Sequence, residues 1–458
     1  MFEFGRELKR LFESDTPPRD GLTGGDASLL ELLDMDLLRG EARASDIAAG
    51  RISAKEPHQR RLEAARVWRE LARRSGDPAA LRNAVLGAEK AVQGFKDVAR
   101  IKGWAAARCE QAMSAMLGAE LFGDDGLNAA AEVALRDAVA AAPTSAAAAV
   151  ASGQMARLSA RAALRGGDYE AARRAAAAFD EPIAALTVHL RHKAVSKGMI
   201  CDLRCARAEM LIGCAGRLND VRLHEQAIDE LDKLADHLDC AYEPLAWARV
   251  QTLRAAARVG AGETAGRIED IAEGVEILVA ALDALTPDHS PLDWARMQQA
   301  LAIALQSLGE GSETDRAFEH ALTCYDRALW ATRRQPALML RSALAQNRAQ
   351  CLARRAEQGA DRGMIDDAVN ELRRDLARLS PRRDPVGWAI LQVDLAQLYV
   401  ARLHLLGQDG DRAAAGMALS SAIEVFGEHG LRSLIDQSYR TLDELAAWPS
   451  EPSDRAIS

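Results

Sequence analysis

The sequence predicts an all-α chain built as an α-solenoid of about eight antiparallel helix pairs, with a helical extension before the array and a capping helix after it. Three observations predict this. A tryptophan-centred pattern recurs in PLAWARVQ from Pro244, PLDWARMQ from Pro291 and DPVGWAILQ from Asp384, placing Trp247 and Trp388 at offsets of 47 and 94 residues from Trp294. A small-apolar series recurs as Ala84-Ala88-Ala91, Ala131-Leu135-Ala138, Ala227-Leu231-Leu234, Gly274-Leu278-Ala281 and Ala321-Tyr325-Ala328, and the steps Ala84 to Ala131, Ala227 to Gly274, Gly274 to Ala321 and Ala321 to Ala368 are each 47 residues. Aromatic residues make up only 4% of the chain, and alanine is abundant, as close-packed helices require.

The clearest unit is Pro291–Ala328. Its first half opens on Pro291, which suits a helix start, and carries Trp294, Leu301, Leu305 and Leu308 at helical spacing. Gly309 and Gly311 are expected to end that helix. The second half, from Asp315, puts Ala317, Ala321, Tyr325 and Ala328 on one face. A hairpin this short cannot bury its own apolar stripe and needs stacked neighbours. An alanine follows eight residues after Trp104, Trp247, Trp294 and Trp388 (Ala112, Ala255, Ala302 and Ala396), and the same period reaches Ala208 and Ala349. The tryptophans are expected to pack on the preceding unit.

In chain order, residues 1–56 form an N-terminal extension, 57–428 the array, and 429–458 a capping helix with a frayed tail. Residues 1–14 are amphipathic, with Phe4, Leu8, Leu11 and Phe12 on one face. Their Arg6, Lys9 and Arg10 are balanced by Glu3, Glu7 and Glu13, without the cationic surplus of a membrane-surface helix. That face is therefore a candidate for packing or for docking a partner by helix-in-groove binding, and peripheral membrane contact would run through it alone. Residues 15–27 are a turn-rich linker. A very apolar helix is expected over Leu29–Leu38, buried on the first repeat or in a homodimer, followed by a polar connection, Gly40–Lys55. Helix pairs follow at about 57–74 with 78–95, 100–121 with 125–141, 145–165 with 168–191, 197–215 with 220–237, 244–260 with 266–285, 291–309 with 313–332, 337–357 with 363–379, and 385–406 with 411–427. A last helix covers about 431–446.

Over residues 57–428 this pattern resembles the tetratricopeptide-repeat family. The resemblance rests on the small helix-A residue Ala302, on Ala321-Tyr325-Ala328, and on Ala131-Leu135-Ala138 followed by Pro143. The unit is about 13 residues longer than the family's 34, which points to an extended first helix and longer connections. The resemblance implies a right-handed superhelix whose first helices line a concave groove. It carries ligand-facing positions onto Arg249, Arg296, Gln299, Gln306, Gln346, Gln350 and Gln397, with Cys205 and Glu209 earlier. Arg249 and Arg296, one period apart, suit a peptide carboxylate or an acidic side chain, because a guanidinium binds carboxylate bidentately. The family's full Lys/Asn/Asn/Lys/Arg carboxylate clamp is absent.

A net charge of −9 argues against nucleic acid as the partner. The seven cysteines lack the spacing of a disulfide framework, which fits a reducing cytoplasm. No signal peptide is evident, and no apolar run reaches the roughly 18–20 residues of a membrane span. Arg and Ala usage suggests a bacterial gene. Cys201 and Cys205 share a helical face but Cys214 does not, so they fall short of the four ligands of a structural zinc site. His189 and His192 lack a third ligand, and GLTGGDAS lacks a preceding strand and the Lys-Ser/Thr of a phosphate loop. No acid–base pair or nucleophile motif stands out. The expectation is a non-enzymatic, cofactor-free cytoplasmic scaffold or adaptor that binds a peptide or protein in its groove. The alternative is a regulatory sensor whose solenoid closes on a small peptide or metabolite.

Overall fold

The computed structural model describes residues 27–51, 56–166, 168–192, 195–312, 315–333, 337–359, 363–407 and 409–447. The candidate docking face Phe4, Leu8, Leu11 and Phe12 lies outside them. A 3₁₀ turn, Ala27–Leu32, and helix α1, Met35–Gly50, precede the array. The pairs are α2 Pro57–Ser75 with α3 Pro78–Asp97; α4 Ile101–Phe122 with α5 Asp125–Ala141; α6 Ala146–Gly166 with α7 Tyr169–Ala177 and α8 Asp180–Arg191; and α9 Lys197–Leu218 with α10 Val221–Ala235. Then come α11 Pro244–Ala265 with α12 Ile268–Leu282, α13 Pro291–Ser312 with α14 Asp315–Thr332, α15 Leu338–Gly359 with α16 Gly363–Arg378, and α17 Pro385–Leu406 with α18 Asp409–Glu428. Helix α19, Arg432–Ala447, packs on α18.

Local chemistry sets these boundaries. The carboxylates of Asp77, Asp124 and Asp220 accept backbone N–H groups at the starts of α3, α5 and α10. Gly76, Gly123, Gly266 and Gly407 end α2, α4, α11 and α17 in the left-handed region, at φ between +64° and +71°, where a side chain would be strained.

Three expected boundaries are corrected. The apolar run 29–38 is not one helix: the Asp34 carboxylate accepts the N–H groups of Asp36 and Leu37 and starts α1, so the segment expected as a polar connection is largely helical. The second helix of the third pair breaks around Ala178 and Phe179. Pro182, four residues after Ala178, has no N–H to continue the ladder and its ring would clash with that carbonyl; Phe179 fills the break and is fully buried. Gly309 does not end α13, which runs to Ser312. A Cβ on Gly309 would lie 2.8 Å from the Phe318 ring, so close packing explains the glycine.

The recurring residues form the core. Ala112, Ala208, Ala255, Ala302, Ala349 and Ala396 are all buried. Trp247 and Trp294 pack, partly buried, against Leu245, Ala248, Ala281, Leu285 and Met297. The first helix of most pairs touches the first helix of the next, as α9, α11, α13 and α15 do in turn. The array also meets itself: α2 packs on α13 and α4 on α15, five pairs further along the chain. Leu71, Ala80 and Leu81 from the first pair and Leu117 and Leu121 from α4 share one apolar cluster with Leu292 and Ala337.

Tyr325 is fully buried and its hydroxyl has no hydrogen-bond partner. Burial raises its pKa well above the ordinary tyrosine value. Removing an orphaned buried hydroxyl relieves a desolvation cost, so Tyr325→Phe is expected to raise stability by about 1 kcal/mol in urea titration.

Candidate functional site

The first helices present one face to the interior, and a belt of charge runs along it. Arg249 of α11 donates to Asp202 (2.5 Å) and Glu209 (2.8 Å), both on α9. Arg296 of α13 donates across the closure to Glu120 of α4 at 2.9 Å and pairs with Asp293 at 3.4 Å. Arg73 of α2 grips Asp293 at 2.9 Å. Enclosure by the surrounding helices would by itself raise Asp202 and Glu120, although their side chains still meet water. Instead Arg249, Arg157 and Arg73 hold Asp202 below its ordinary range, and Arg296, Arg157 and Arg161 do the same for Glu120. The guanidiniums expected to await a ligand carboxylate are thus engaged by the chain's own carboxylates.

The remaining expected positions do not converge. Gln306 donates to Glu310 one turn along its own helix, at 3.1 Å. Gln299, Gln346 and Gln397 are half-buried and Gln350 is exposed. Cys205 is buried, and the neighbouring Cys201 thiol together with burial pushes its pKa well above the ordinary thiol value. Among the described residues no group of three or more His, Cys, Asp or Glu side chains is arranged to hold a metal ion. No helix among them is long and apolar enough to cross a membrane.

Further along the same face, towards the helix C-termini, α9, α11 and α13 frame a recess of about 400 Å³. Ile212, Ala256, Val259, Ala300 and Ile303 supply its apolar wall. Ile303, one period after Ala256 and two after Glu209, is 41% exposed. The polar wall is Glu263, Thr264, Asn219 and His224. Glu263 accepts a hydrogen bond from Ser307. The ends of α9 and α11, at Asn219 and Gly266, add the partial negative charge of helix C-termini. His224 is 2% exposed, yet neither ring nitrogen has a partner. Burial lowers its pKa, so it presents a neutral imidazole with one donor and one acceptor unused. It seats against Gly260, where a Cβ would come within 2.3 Å of its ring.

At the other end of the inner face, the helix N-termini hold the 3₁₀ turn, which touches α2, α9 and α11. Fully buried Arg74 donates to the carbonyls of Leu30 (2.6 Å) and Leu33 (2.7 Å). His289 Nε2 lies 2.6 Å from the Glu31 carbonyl, which can only accept, so that nitrogen carries the proton. Met35 N–H donates to the carbonyl of Asp288 at 3.2 Å. The Glu31 carboxylate accepts the N–H groups of Leu245 and Ala246 at the start of α11, at 3.1 and 3.0 Å.

Burial pushes the Glu31 carboxyl up to about 7, with the Ala246 N–H offsetting only part of the effect. Its folded pKa therefore exceeds its unfolded value. The stability it contributes is complete below the unfolded pKa and is lost as pH rises through about 7. Glu31→Gln keeps an acceptor oxygen and cannot ionise. Relative to wild type, it is expected to gain about 2 kcal/mol between pH 5 and pH 8, read by urea titration at both pH values.

Little of this was named from the sequence alone. Asp202 lies 47 residues before Arg249 and Ile303 the same distance after Ala256, so extending the period along the whole inner face would have found both. Arg74, Glu31 and His224 obey no period. No protein-family model matches the chain, and no curated protein matches it. A solved "circular tandem repeat protein with novel repeat topology and enhanced subunit contact surfaces" aligns with 90% of this chain and 95% of its own at 15% identity. Its TM-score of 0.26 is too low to bear on function.

Proposed function

We propose that this chain is a non-enzymatic, tetratricopeptide-like scaffold or adaptor of the cytoplasm that receives a peptide or protein segment on its inner face, at the recess between α9, α11 and α13. One observation carries the proposal: an apolar wall beside a buried, unpartnered imidazole and an electronegative rim. Concave sites that combine apolar lining with a few convergent polar groups are where ligands bind. The test is a pull-down from the native host with full-length protein, wild type beside Ile303→Asp and Glu263→Lys. Ile303 is partly exposed, so its substitution leaves the core packed. Loss of one discrete partner at unchanged melting temperature supports the recess; partners that survive both changes overturn it.

The sensor reading draws on a different observation, the contact of α2 with α13 and of α4 with α15, which closes the array on itself. It predicts that a low-mass ligand raises the melting temperature through mass action. A screen of small peptides and metabolites by thermal shift separates the two readings.

A further inference from the structure

The 3₁₀ turn and the residues after it are held as a bound peptide is held. Its backbone carbonyls at Leu30, Glu31 and Leu33 are satisfied by side chains of the array, Arg74 and His289, and the following N–H of Met35 by the carbonyl of Asp288. Its carboxylate sits on the N-terminus of a helix from another repeat, α11. Its leucines Leu30 and Leu33 enter an apolar cluster built by Val67, Leu71, Leu121 and Leu292. Main-chain bonds give affinity in such recognition, and side-chain pockets give selectivity. An apolar side chain at position 31 would fill a purely structural plug at lower cost than a buried carboxylate. A carboxyl group there makes sense where the cleft selects an acceptor for the two N–H groups at the start of α11.

We propose that the cleft between α2, α11 and the 284–290 loop is a peptide-recognition site occupied in cis by Leu30–Leu33, and that it accepts in trans a short acidic, leucine-rich segment of a partner protein. This site is separate from the recess between α9, α11 and α13, and the proposal stands if that recess binds nothing. The partner's chemistry is fixed by the cis occupant: two leucines three residues apart, an acidic residue immediately after the first, and free backbone carbonyls for Arg74 and His289.

The probe is a fluorescein-labelled peptide of residues 29–36, LLELLDMD, and the same peptide with lysine in place of the glutamate. The proteins are the full chain and its Leu30→Asp, Leu33→Asp double variant, which ejects the cis segment. Anisotropy is expected to show at least tenfold tighter binding of the acidic peptide to the variant than to wild type, and at least a tenfold loss with the lysine peptide. A folded variant that ignores the peptide, or binds both peptides equally, overturns the proposal. Should the double variant fail to fold, hydrogen exchange on the wild-type chain decides. Excess acidic peptide is expected to strip protection from the amides of residues 29–36 at least tenfold, and unchanged protection overturns the proposal. A concentration-dependent wild-type dimer abolished by the double variant would assign the cleft to a second copy of this chain, and would overturn the partner segment too.

Discussion

Arg74→Ala is expected to cost about 3–5 kcal/mol of unfolding free energy, the scale for removing one partner of a buried charge pair. The guanidinium is fully buried and makes three bonds: to Glu70 at 2.7 Å and to the carbonyls of Leu30 and Leu33. Alanine leaves two buried carbonyls without their strongest donor. It also leaves Glu70 with Arg73 as its remaining guanidinium partner. Burial would raise Glu70, and Arg73 and Arg74 together hold it well below the ordinary carboxylate range, so removing one arginine moves its carboxyl back up. Glu70 thus contributes stability above its unfolded pKa that is lost as pH falls through its lowered folded pKa. The variant is expected to begin acid unfolding at higher pH than wild type. Arg74→Lys should recover only part of the loss, because an ammonium cannot reproduce the planar fork that spans both carbonyls and a carboxylate. Urea titration reads all three proteins. A loss below about 1 kcal/mol for the alanine variant would mean that the carbonyls find other donors, an exposed-surface magnitude, and that Arg74 does not clamp the segment.

The array was legible in the sequence because a repeat writes its packing many times. The buried alanines at 208, 255, 302 and 349, and the small-apolar faces of α10, α12 and α14, each follow from one local rule applied at a fixed period. Boundaries failed where a single residue overrode the pattern, as Pro182 does by breaking α7 from α8, and as Asp34 does by starting α1 inside an apolar run. The site failed for another reason. Periodicity gives the direction of a side chain from its own helix but not what faces it from a helix five pairs away. Arg296 reads from sequence as a free inner guanidinium. Its partner Glu120 lies 176 residues earlier and meets it only because α4 packs near α13 once the array closes. Arg74 had no repeat partner to draw attention to it, and its burial depends on a segment that precedes the array.

Arg249→Glu is expected to cost about 2–3 kcal/mol, below the full value for a buried pair because the side chains keep contact with water. Arg249 is 29% exposed and its partners Asp202 and Glu209 are 57% and 45% exposed. Reversal puts a third carboxylate between these two, on an inner face where Asp202 depends on Arg249 to stay below its ordinary pKa against the effect of enclosure. Two signatures separate this from loss of a binding contact. Because the repulsion runs through a solvated belt, raising salt from 0.05 to about 0.5 M should restore part of the lost stability. Because Asp202 loses the arginine that holds it low, the stability it provides above its unfolded pKa in wild type is absent, so the deficit against wild type should be fullest above that pKa and narrow as pH falls through it. The exposed Gln350, mutated to alanine, is the matched control and should change stability by less than about 0.5 kcal/mol. If Arg249→Glu proves as stable as wild type at low salt, the part of the belt that joins α11 to α9 contributes nothing to stability. Arg249 would then again be a candidate for binding a partner's carboxylate. If the loss appears and is salt-relieved, any partner missing from an Arg249→Glu pull-down was lost with the shape of the inner face, so only changes such as Ile303→Asp, outside the ion pairs, can locate where a partner binds.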